Sequence, residues 1–365
     1  MKFKILGLGT AVPPNAMSQT EATELAHRVV CQNEQQRRML SVLYRKAGVE
    51  NRYTALPHRI AEQWLPVGDN DEKESQRPPT LGPTTAERMK YFAEHAPLIA
   101  LKASEQALAD AEIDHDEITH LVTVSCTGFD APGVDTALIR GLHLKPTTQR
   151  IQVGFMGCHG AINGLRTAQA IAGSDPSAKV LLCAAELCSL HYRFAWDPER
   201  IIANALFADG AAAVVGSAGS TEEKESWSVA ATGSCLIPDS ADAMTWRIGD
   251  HGFEMTLHAR VPDLIHQNLR PWLEEWLPQH GQSLDSIASW AIHPGGPRIL
   301  SAIAESLSLP IETTSISREI LASHGNMSSP TVLFIVNRLR ELNAPRPCLA
   351  LGFGPGLFAE AALFV

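Results

Sequence analysis

The sequence has no unbroken apolar stretch near the roughly 18 residues a membrane-spanning helix needs. The short apolar run after Lys2 and Lys4 is broken by Gly7, Gly9 and Pro13-Pro14 too soon for a secretory signal, and reads as a first strand. Positive charge is in deficit: 30 Lys and Arg face 40 Asp and Glu, for a formal net charge of −10. That excludes broad binding to nucleic acid or anionic membrane, and any anionic ligand needs a local basic patch. The seven cysteines (Cys31, Cys126, Cys158, Cys183, Cys188, Cys235, Cys348) are an odd number without CxxC pairs or metal-ligand spacing. A reducing compartment fits that usage better than a disulfide framework. These absences predict a soluble, cytoplasmic protein with no metal and no permanently bound cofactor.

What is present is apolar material for a large core. The chain has 365 residues, 45% hydrophobic and 19% charged, enough for two domains or one duplicated domain. Lys2 to Leu8 reads as a buried strand closed by a turn over Gly9 to Asn15. Ser18 to Glu21 and Thr84 to Glu87 are capping-box patterns, opening one helix through Ala26 and Val30 and a long alanine-rich helix to about Ala111. Residues 34–53, with Arg37, Arg38, Arg45, Lys46 and Arg52, read as a basic helix with a solvated face. Residues 57–83, with five prolines and the charged stretch Asp69 to Glu74, read as a surface loop. Strands are expected at His120 to Ser125, Ile151 to Phe155, Val180 to Ala185 and Ala211 to Val215. The polar, helix-poor segment Gly219 to Ser226 separates an N-terminal half, residues 1–218, from a C-terminal half, residues 227–365.

The organising stretch is Gly157 to Gly164, between an apolar strand pattern and a helix pattern of Ala161, Leu165, Ala168 and Ile171. Strand, glycine turn, cysteine and helix in that order put the Cys158 thiol at a helix start, where unpaired N–H groups and the dipole favour a thiolate. One offset of 168 residues carries Val122 to Ser125 onto Trp290 to His293, Gly157-Cys158 onto Gly325-Asn326, and Val180 to Glu186 onto Cys348 to Gly354. Such a repeat implies two similar α/β halves about a pseudo-twofold axis, with the Cys158 and Asn326 helix starts meeting near it. Cys158, His293 and Asn326 then come to one place. A thiol, an imidazole and a carboxamide suffice for acyl transfer followed by carbon–carbon bond formation. Taken singly, Cys158 also reads as a small core residue, His293 as a satisfied core histidine and Asn326 as a helix cap.

Gly157-Cys158, the run Ala205 to Ala213 (ALFADGAAA), Ile292 to Pro297 (IHPGGP), Gly325 to Ser329 (GNMSS) and Gly352 to Leu357 (GFGPGL) resemble the signature segments of type III polyketide synthases, the chalcone and stilbene synthase family. The resemblance spans the whole chain in the right order and is strongest toward bacterial alkylpyrone- and alkylresorcinol-forming members. It implies an α/β, thiolase-like, five-layered αβαβα fold from two duplicated halves, a homodimer, and an acyltransferase that extends an acyl-CoA starter with malonyl-CoA. By carry-over Cys158 is the nucleophile, His293 and Asn326 are its partners, and Phe207 is a gatekeeper between the CoA tunnel and the cavity. Ser328, Gly352, Phe353, Gly354, Pro355 and Gly356 are carried over as cavity positions.

The departures from the family pattern are specific. The second gatekeeper, usually Phe, falls on Met255. Of three basic residues that hold CoA phosphates in plant members, only Lys46 matches; the others fall on Met39 and Val42, and Arg37, Arg38 or Arg45 substitute. Trp246 stands where plant enzymes have a cavity-lining glycine, against a flavonoid-like product. Thr127, Ala131 and Cys188 fall where small residues leave an apolar tunnel in members that accept long chains, so a medium or long fatty acyl starter and an alkylpyrone or alkylresorcinol product are expected. A β-ketoacyl carrier-protein synthase of the initiating kind shares Cys, His and Asn, but typically has His-Gln-Ala-Asn where this chain has His293-Pro294-Gly295-Gly296, and lacks the Gly352 to Leu357 segment. A thiolase needs a second cysteine base, which Leu349 to Gly356 do not supply. A non-catalytic acyl-binding scaffold has no need for all three polar groups.

Overall fold

The computed structural model describes residues 2–57, 63, 81–198, 200–219 and 227–365. Most of the proline-rich segment 57–83, and the boundary segment apart from Gly219, lie outside the described residues. In chain order the elements are β1 (Lys2–Ala11), β2 (Asn15–Ser18), α1 (Gln19–Val29), α2 (Glu34–Lys46), β3 (Asn51–Thr54), α3 (Thr85–Ala111), β4 (His120–Ser125), α4 (Val134–Gly141), β5 (Gln149–Gly154), α5 (Gly160–Ser174), β6 (Lys179–Leu187), α6 (Ile202–Leu206) and β7 (Asp209–Gly219). There follow β8 (Ser228–Leu236), β9 (Met244–Gly249), β10 (Gly252–Leu257), α7 (Val261–Trp276), β11 (Ser289–Ile292), α8 (Pro297–Leu307), α9 (Ser315–His324), α10 (Thr331–Glu341), β12 (Cys348–Gly354) and β13 (Phe358–Phe364).

Nine strands form one mixed sheet in the order β11-β12-β13-β8-β1-β7-β6-β4-β5. The run β4-β6-β7-β1 is parallel, antiparallel, antiparallel, and β11-β12-β13-β8 repeats that sequence of directions. The two runs join where β1 meets β8 over two residue pairs, Phe3–Val229 and Lys4–Ser228. Period-two alternation then sorts side chains into layers. Val180, Leu182 and Ala184 of β6, with Cys348 and Ala350 of β12, face a central cluster built on α5 and α10. Leu181, Cys183 and Ala185 face an outer cluster under α3, and Leu349 and Leu351 face another under α7 and α8. The result is the five-layered αβαβα arrangement of thiolase-like folds.

Both capping boxes form: Ser18 N–H donates to Glu21 Oε2 (2.8 Å) and Glu21 N–H to Ser18 Oγ (3.2 Å), and Thr84 and Glu87 repeat the exchange at 2.7 and 3.3 Å. The expected helix over 34–53 is corrected: it stops at Lys46, Gly48 turns with φ 74°, and Asn51–Thr54 is strand β3, paired with β2. The turn expected to close the first strand at Gly9 is also corrected, because β1 runs on to Ala11. Gly7 and Gly9 are packing positions there, not breakers. A Cβ at Gly9 would lie 2.2 Å from the Ala103 carbonyl oxygen of α3, and one at Gly7 2.3 Å from that of Ala107. The helix expected from Ser328 begins at Thr331, after a left-handed Ser328 (φ 58°) and Pro330.

Among the described residues no helix is long and apolar enough to cross a membrane. Overpacking against a fixed backbone costs about 1–3 kcal/mol or more. Gly9→Ala should therefore lower stability by about 3 kcal/mol, read as a fall in the urea midpoint at unchanged slope. Gly173→Ala, in α5 with nothing within 4 Å of the added methyl, should leave stability unchanged or raise it.

Candidate active site

The chain leaves β5 through Phe155, held at φ 62°, and Gly157 at φ 78°. A Cβ at Gly157 would fall 2.2 Å from Pro355 Cδ, so only glycine lets this turn pass under the Gly352–Leu357 segment. Gly157–His159 form a single 3-10 turn that runs directly into α5, and Cys158 sits within it. His293 follows the last residue of β11 and is fixed by its N–H donating to Leu351 O (2.8 Å). Asn326 is held by its own backbone: its N–H donates to Leu206 O and its carbonyl accepts from Ala208 N–H, both at 2.9 Å. Its side-chain Oδ1 accepts from Ser328 N–H (2.8 Å), which assigns the amide orientation and leaves the NH2 to the site.

Cys158, His293 and Asn326 line one chamber together with Leu206, Phe207, Met255 and Phe353. A larger chamber is lined by Cys158, Thr127, Cys188, Trp246, Ser328 and Pro355, and reaches Met17, Ala22 and Leu25 of β2 and α1. Cys158, Phe207, Met244 and Met255 border both. Other positions fall elsewhere. Ala131 is exposed at a bend of the single chain and lines neither chamber. Gly352 and Gly354 do not line the chambers either; they make room for His159, whose ring atoms would lie 2.5 Å from a Cβ at Gly354. Gly356 turns at φ 77°, and its carbonyl accepts from Ser240 Oγ (3.0 Å). Arg38, Arg45 and Lys46 are exposed along α2, outside both chambers.

At Cys158 two effects oppose: the helix start favours a thiolate, while burial pushes the thiol up to about 12, with the Ser328 and Asn326 side chains pulling the other way. Burial, then the neighbouring His159 ring, pushes the His293 imidazole down to about 3, and neither ring nitrogen has a hydrogen-bond partner among the described residues.

Several polar residues around the site escape the sequence reading. Arg52 was placed on a basic helix; on β3 its guanidinium is buried and donates to the carbonyls of Asn204 (2.7 Å), Ala205 (2.6 Å) and Phe207 (2.9 Å), and to the Gln19 side chain. These are carbonyls that the end of α6 leaves without helical partners. Glu186, fully buried, accepts from Ser329 Oγ (2.6 Å), Thr127 Oγ1 (2.7 Å) and Cys126 N–H (2.9 Å) beneath Cys158; burial raises its carboxyl. His191 donates Nε2–H to Thr127 O (2.7 Å) and accepts Phe253 N–H at Nδ1 (2.9 Å), which fixes a neutral tautomer. It stacks on Phe253 at 4.2 Å and meets Trp246 edge-on at 5.5 Å, while Trp246 Nε1–H donates to Cys126 O (2.8 Å). A hydrogen-bonded aromatic wall closes that side of the larger chamber. Strand β3 offered the one sequence signal for Arg52, its alternation after the Gly48 turn; the others depend on tertiary contacts.

Residues 2–220 match the N-terminal domain of the chalcone and stilbene synthases, and residues 228–365 match the C-terminal domain. The chain is 32% identical to the alpha-pyrone synthesis polyketide synthase-like Pks18 of Mycobacterium tuberculosis, over 99% of this chain and 90% of that protein. It is 33% identical to the 1,3,6,8-tetrahydroxynaphthalene synthase of Streptomyces peucetius subsp. caesius, over 98% and 92%. Its structure is similar to that of PKS-I from the brown alga Ectocarpus siliculosus, with a TM-score of 0.89, 29% identity and coverage of 100% and 98%. The C-terminal type III polyketide synthase domain of Steely1, a type I/III hybrid from Dictyostelium, follows at 0.88 and 25%, covering 100% and 99%. With both domains matched along its length, the chain belongs to the chalcone and stilbene synthase family, the type III polyketide synthases, a family of acyltransferases.

Proposed function

We propose that the protein loads a medium or long fatty acyl group from acyl-CoA onto Cys158, extends it with malonyl-CoA and cyclises the product to an alkylpyrone or alkylresorcinol. The observation that carries the reading is the convergence of Cys158, His293 and Asn326 on one chamber that shares Cys158 with a second, larger one. His293 takes the thiol proton as sulfur attacks the thioester carbonyl; the C–S bond to CoA breaks and the CoA thiolate leaves with that proton. Malonyl-CoA then loses CO2, and its enolate oxygen accepts hydrogen bonds from the Asn326 NH2 and the His293 ring. The enolate carbon attacks the acyl carbon and frees the Cys158 thiolate, and the lengthened chain returns on CoA. A lactone closes when an enol oxygen displaces the CoA thiol. The name of the Mycobacterium tuberculosis relative, an alpha-pyrone synthesis protein, supports the lactone.

The larger chamber supports the fatty starter, because most of its lining surface is apolar, with Met17, Ala22, Leu25 and Leu56 contributing beside the polar Arg52, Arg193, Arg200 and Glu254. Each buried methylene contributes roughly 0.8 kcal/mol, so binding tightens with length until the chamber ends. On the same reading the enzyme is a cytoplasmic homodimer. Edge strand β5 and its neighbours leave Phe129, Ile151 and Met156 39%, 47% and 38% exposed, apolar surface that a second copy covers.

Three measurements test this. His293→Gln should slow alkylation of Cys158 by iodoacetamide at fixed neutral pH by at least about tenfold, because the proton acceptor is gone; an unchanged rate removes His293 from that role. Asn326→Ala should slow CO2 release from malonyl-CoA by about 10² or more while Cys158 still acquires acyl label. Cys188→Phe, near the nucleophile, should shorten the longest accepted starter by several carbons, and Ala22→Phe, at the distal wall, by fewer. Product mass spectrometry over a series of acyl-CoAs decides it: equal cut-offs in wild type and both variants would show that the chain does not occupy this chamber.

A further inference from the structure

The larger chamber has a polar part inside its apolar lining, and that part is organised around a single residue of α6. Beside Met17, Ala22 and Leu25 the chamber is lined by three guanidinium side chains, Arg52, Arg193 and Arg200, and by Glu254. Arg52 donates to Asn204 O (2.7 Å), Arg193 N–H donates to Asn204 Oδ1 (2.9 Å), and Asn204 Nδ2 donates back to Arg193 O (2.8 Å). Arg200 stands in the turn that leads into α6, where its carbonyl accepts from Ala203 N–H (3.1 Å). Strand pairing sets Arg52 opposite Met17, so the cations stand beside the wall that β2 and α1 provide.

Their charges are balanced, but their donors are not used up. Glu254 accepts from Arg193 (3.0 Å) and from Arg200 (2.5 Å), Arg200 Nε lies 3.3 Å from Asp197, and the Asp209 carboxylate acts on Arg52. Three cations thus face three acids. Arg52 and Arg193 nevertheless each keep a buried Nε–H with no acceptor among the described residues. A buried donor left unpaired is costly, and two of them on side chains that wall a ligand chamber mark a place for an oxygen that the protein itself does not supply. An all-carbon chain would make matters worse there. It would strip water from Arg193, Arg200 and Glu254, whose side chains are 24%, 32% and 32% exposed, and return no hydrogen bond.

We propose that the starter carries a hydroxyl group toward the end remote from its thioester, and that Arg193 and Arg200, held by Glu254, determine specificity for it. The inference rests on the fatty-starter reading above and narrows its substrate class from a plain to a hydroxylated fatty acyl chain. A hydroxyl fits the inventory in both directions, because its oxygen accepts from a guanidinium while its proton is given to a Glu254 oxygen. A terminal carboxylate would bring a fourth negative charge to a site that is already neutral, into apolar surroundings that penalise it. The aliphatic stretch between thioester and hydroxyl lies along the apolar lining.

The experiment measures kcat/KM, with malonyl-CoA as extender, for three series of starters from octanoyl to hexadecanoyl length: acyl-CoAs ending in a methyl, in a hydroxyl and in a carboxylate. In wild type the hydroxyl end should be preferred over the methyl end by at least about tenfold at one chain length. The preference should fall away at shorter and longer lengths, because ion pairs and the bonds to Asn204 fix the guanidinium groups in place. Arg193→Met or Arg200→Met should bring the hydroxyl-to-methyl ratio at that length to within about twofold of one. The ratio is taken within one protein at one length, so a general loss of folding or of malonyl-CoA binding cancels from it, and the wild-type length series decides even where a variant does not fold. Equal use of methyl and hydroxyl ends at every length overturns the proposal. So does a hydroxyl preference that survives in both variants, which would place its origin elsewhere, and so does a carboxylate end used best, which would refute the charge argument. Failure of all three series while acetyl-CoA or benzoyl-CoA is turned over would refute the fatty-starter reading, and the inference would fall with it.

Discussion

Two backbone hydrogen bonds hold the site together, from Asn326 N–H to Leu206 O and from Ala208 N–H to Asn326 O. They join the halves of the chain at one residue pair, Phe207 and Asn326, outside the large sheet. Part of the nucleophile's surroundings depends on this junction: Phe207 is aimed by it, the Asn326 amide is presented by it, and α6 ends in it. Arg52 is the buried cation that makes it stable. Its N–H groups reach three carbonyls that α6 would otherwise leave unpaired in a dry interior, and an unmade buried hydrogen bond costs about 1–3 kcal/mol per group. The charge itself is expensive to bury, which lowers the guanidinium below its usual range, and the nearby Asp209 carboxylate offsets part of that cost.

The same dry interior decides the chemistry of the nucleophile. A thiol at a helix start in water would be acidified by the dipole, but desolvation outweighs the dipole here and the resting thiol and imidazole are each pushed toward neutrality. Glu186 adds to this, since its carboxylate below Cys158 repels a sulfur anion. On the proposed reading the pair exchanges a proton when a thioester arrives, and the His293 ring, without a hydrogen-bond partner among the described residues, accepts it. The Ser328 and Asn326 side chains beside the sulfur pull its thiol back down.

The architecture was legible in the sequence to the extent that it is repetitive. The 168-residue offset relates β4 to β11, β6 to β12 and α5 to α10, because each pair has the same place and direction in its own half. Local signals with a local cause were equally readable, as the two capping boxes show. What was not legible is set by distant neighbours. Gly9 looks like a strand terminator until α3 is seen 2.2 Å from its missing Cβ, and Arg52 looks like one more surface cation until β3 turns it inward. The three residues with candidate catalytic roles could be named because a family pattern carries them. In the single chain Cys188 lines the larger chamber and Ala131 is exposed, a difference that a family pattern, which gives positions alone, does not carry.

The walls of the larger chamber differ in stiffness, and that difference bears on what they can control. On one side His191, Phe253 and Trp246 are locked to one another and to the carbonyls of Cys126 and Thr127, so their rings cannot swing away without breaking hydrogen bonds in a buried place. On the other side the passage toward α1 is formed by Met17, Ala22 and Leu25, unbranched, small or flexible side chains that touch a ligand only by dispersion. A rigid wall excludes shapes, whereas an adaptable one grades lengths. On the proposed reading, the folded polyketide segment is confined by the aromatic wall next to Cys158, and the aliphatic tail is measured by the distal passage. Ring size and chain length would then be set by different residues, able to vary independently in sequence.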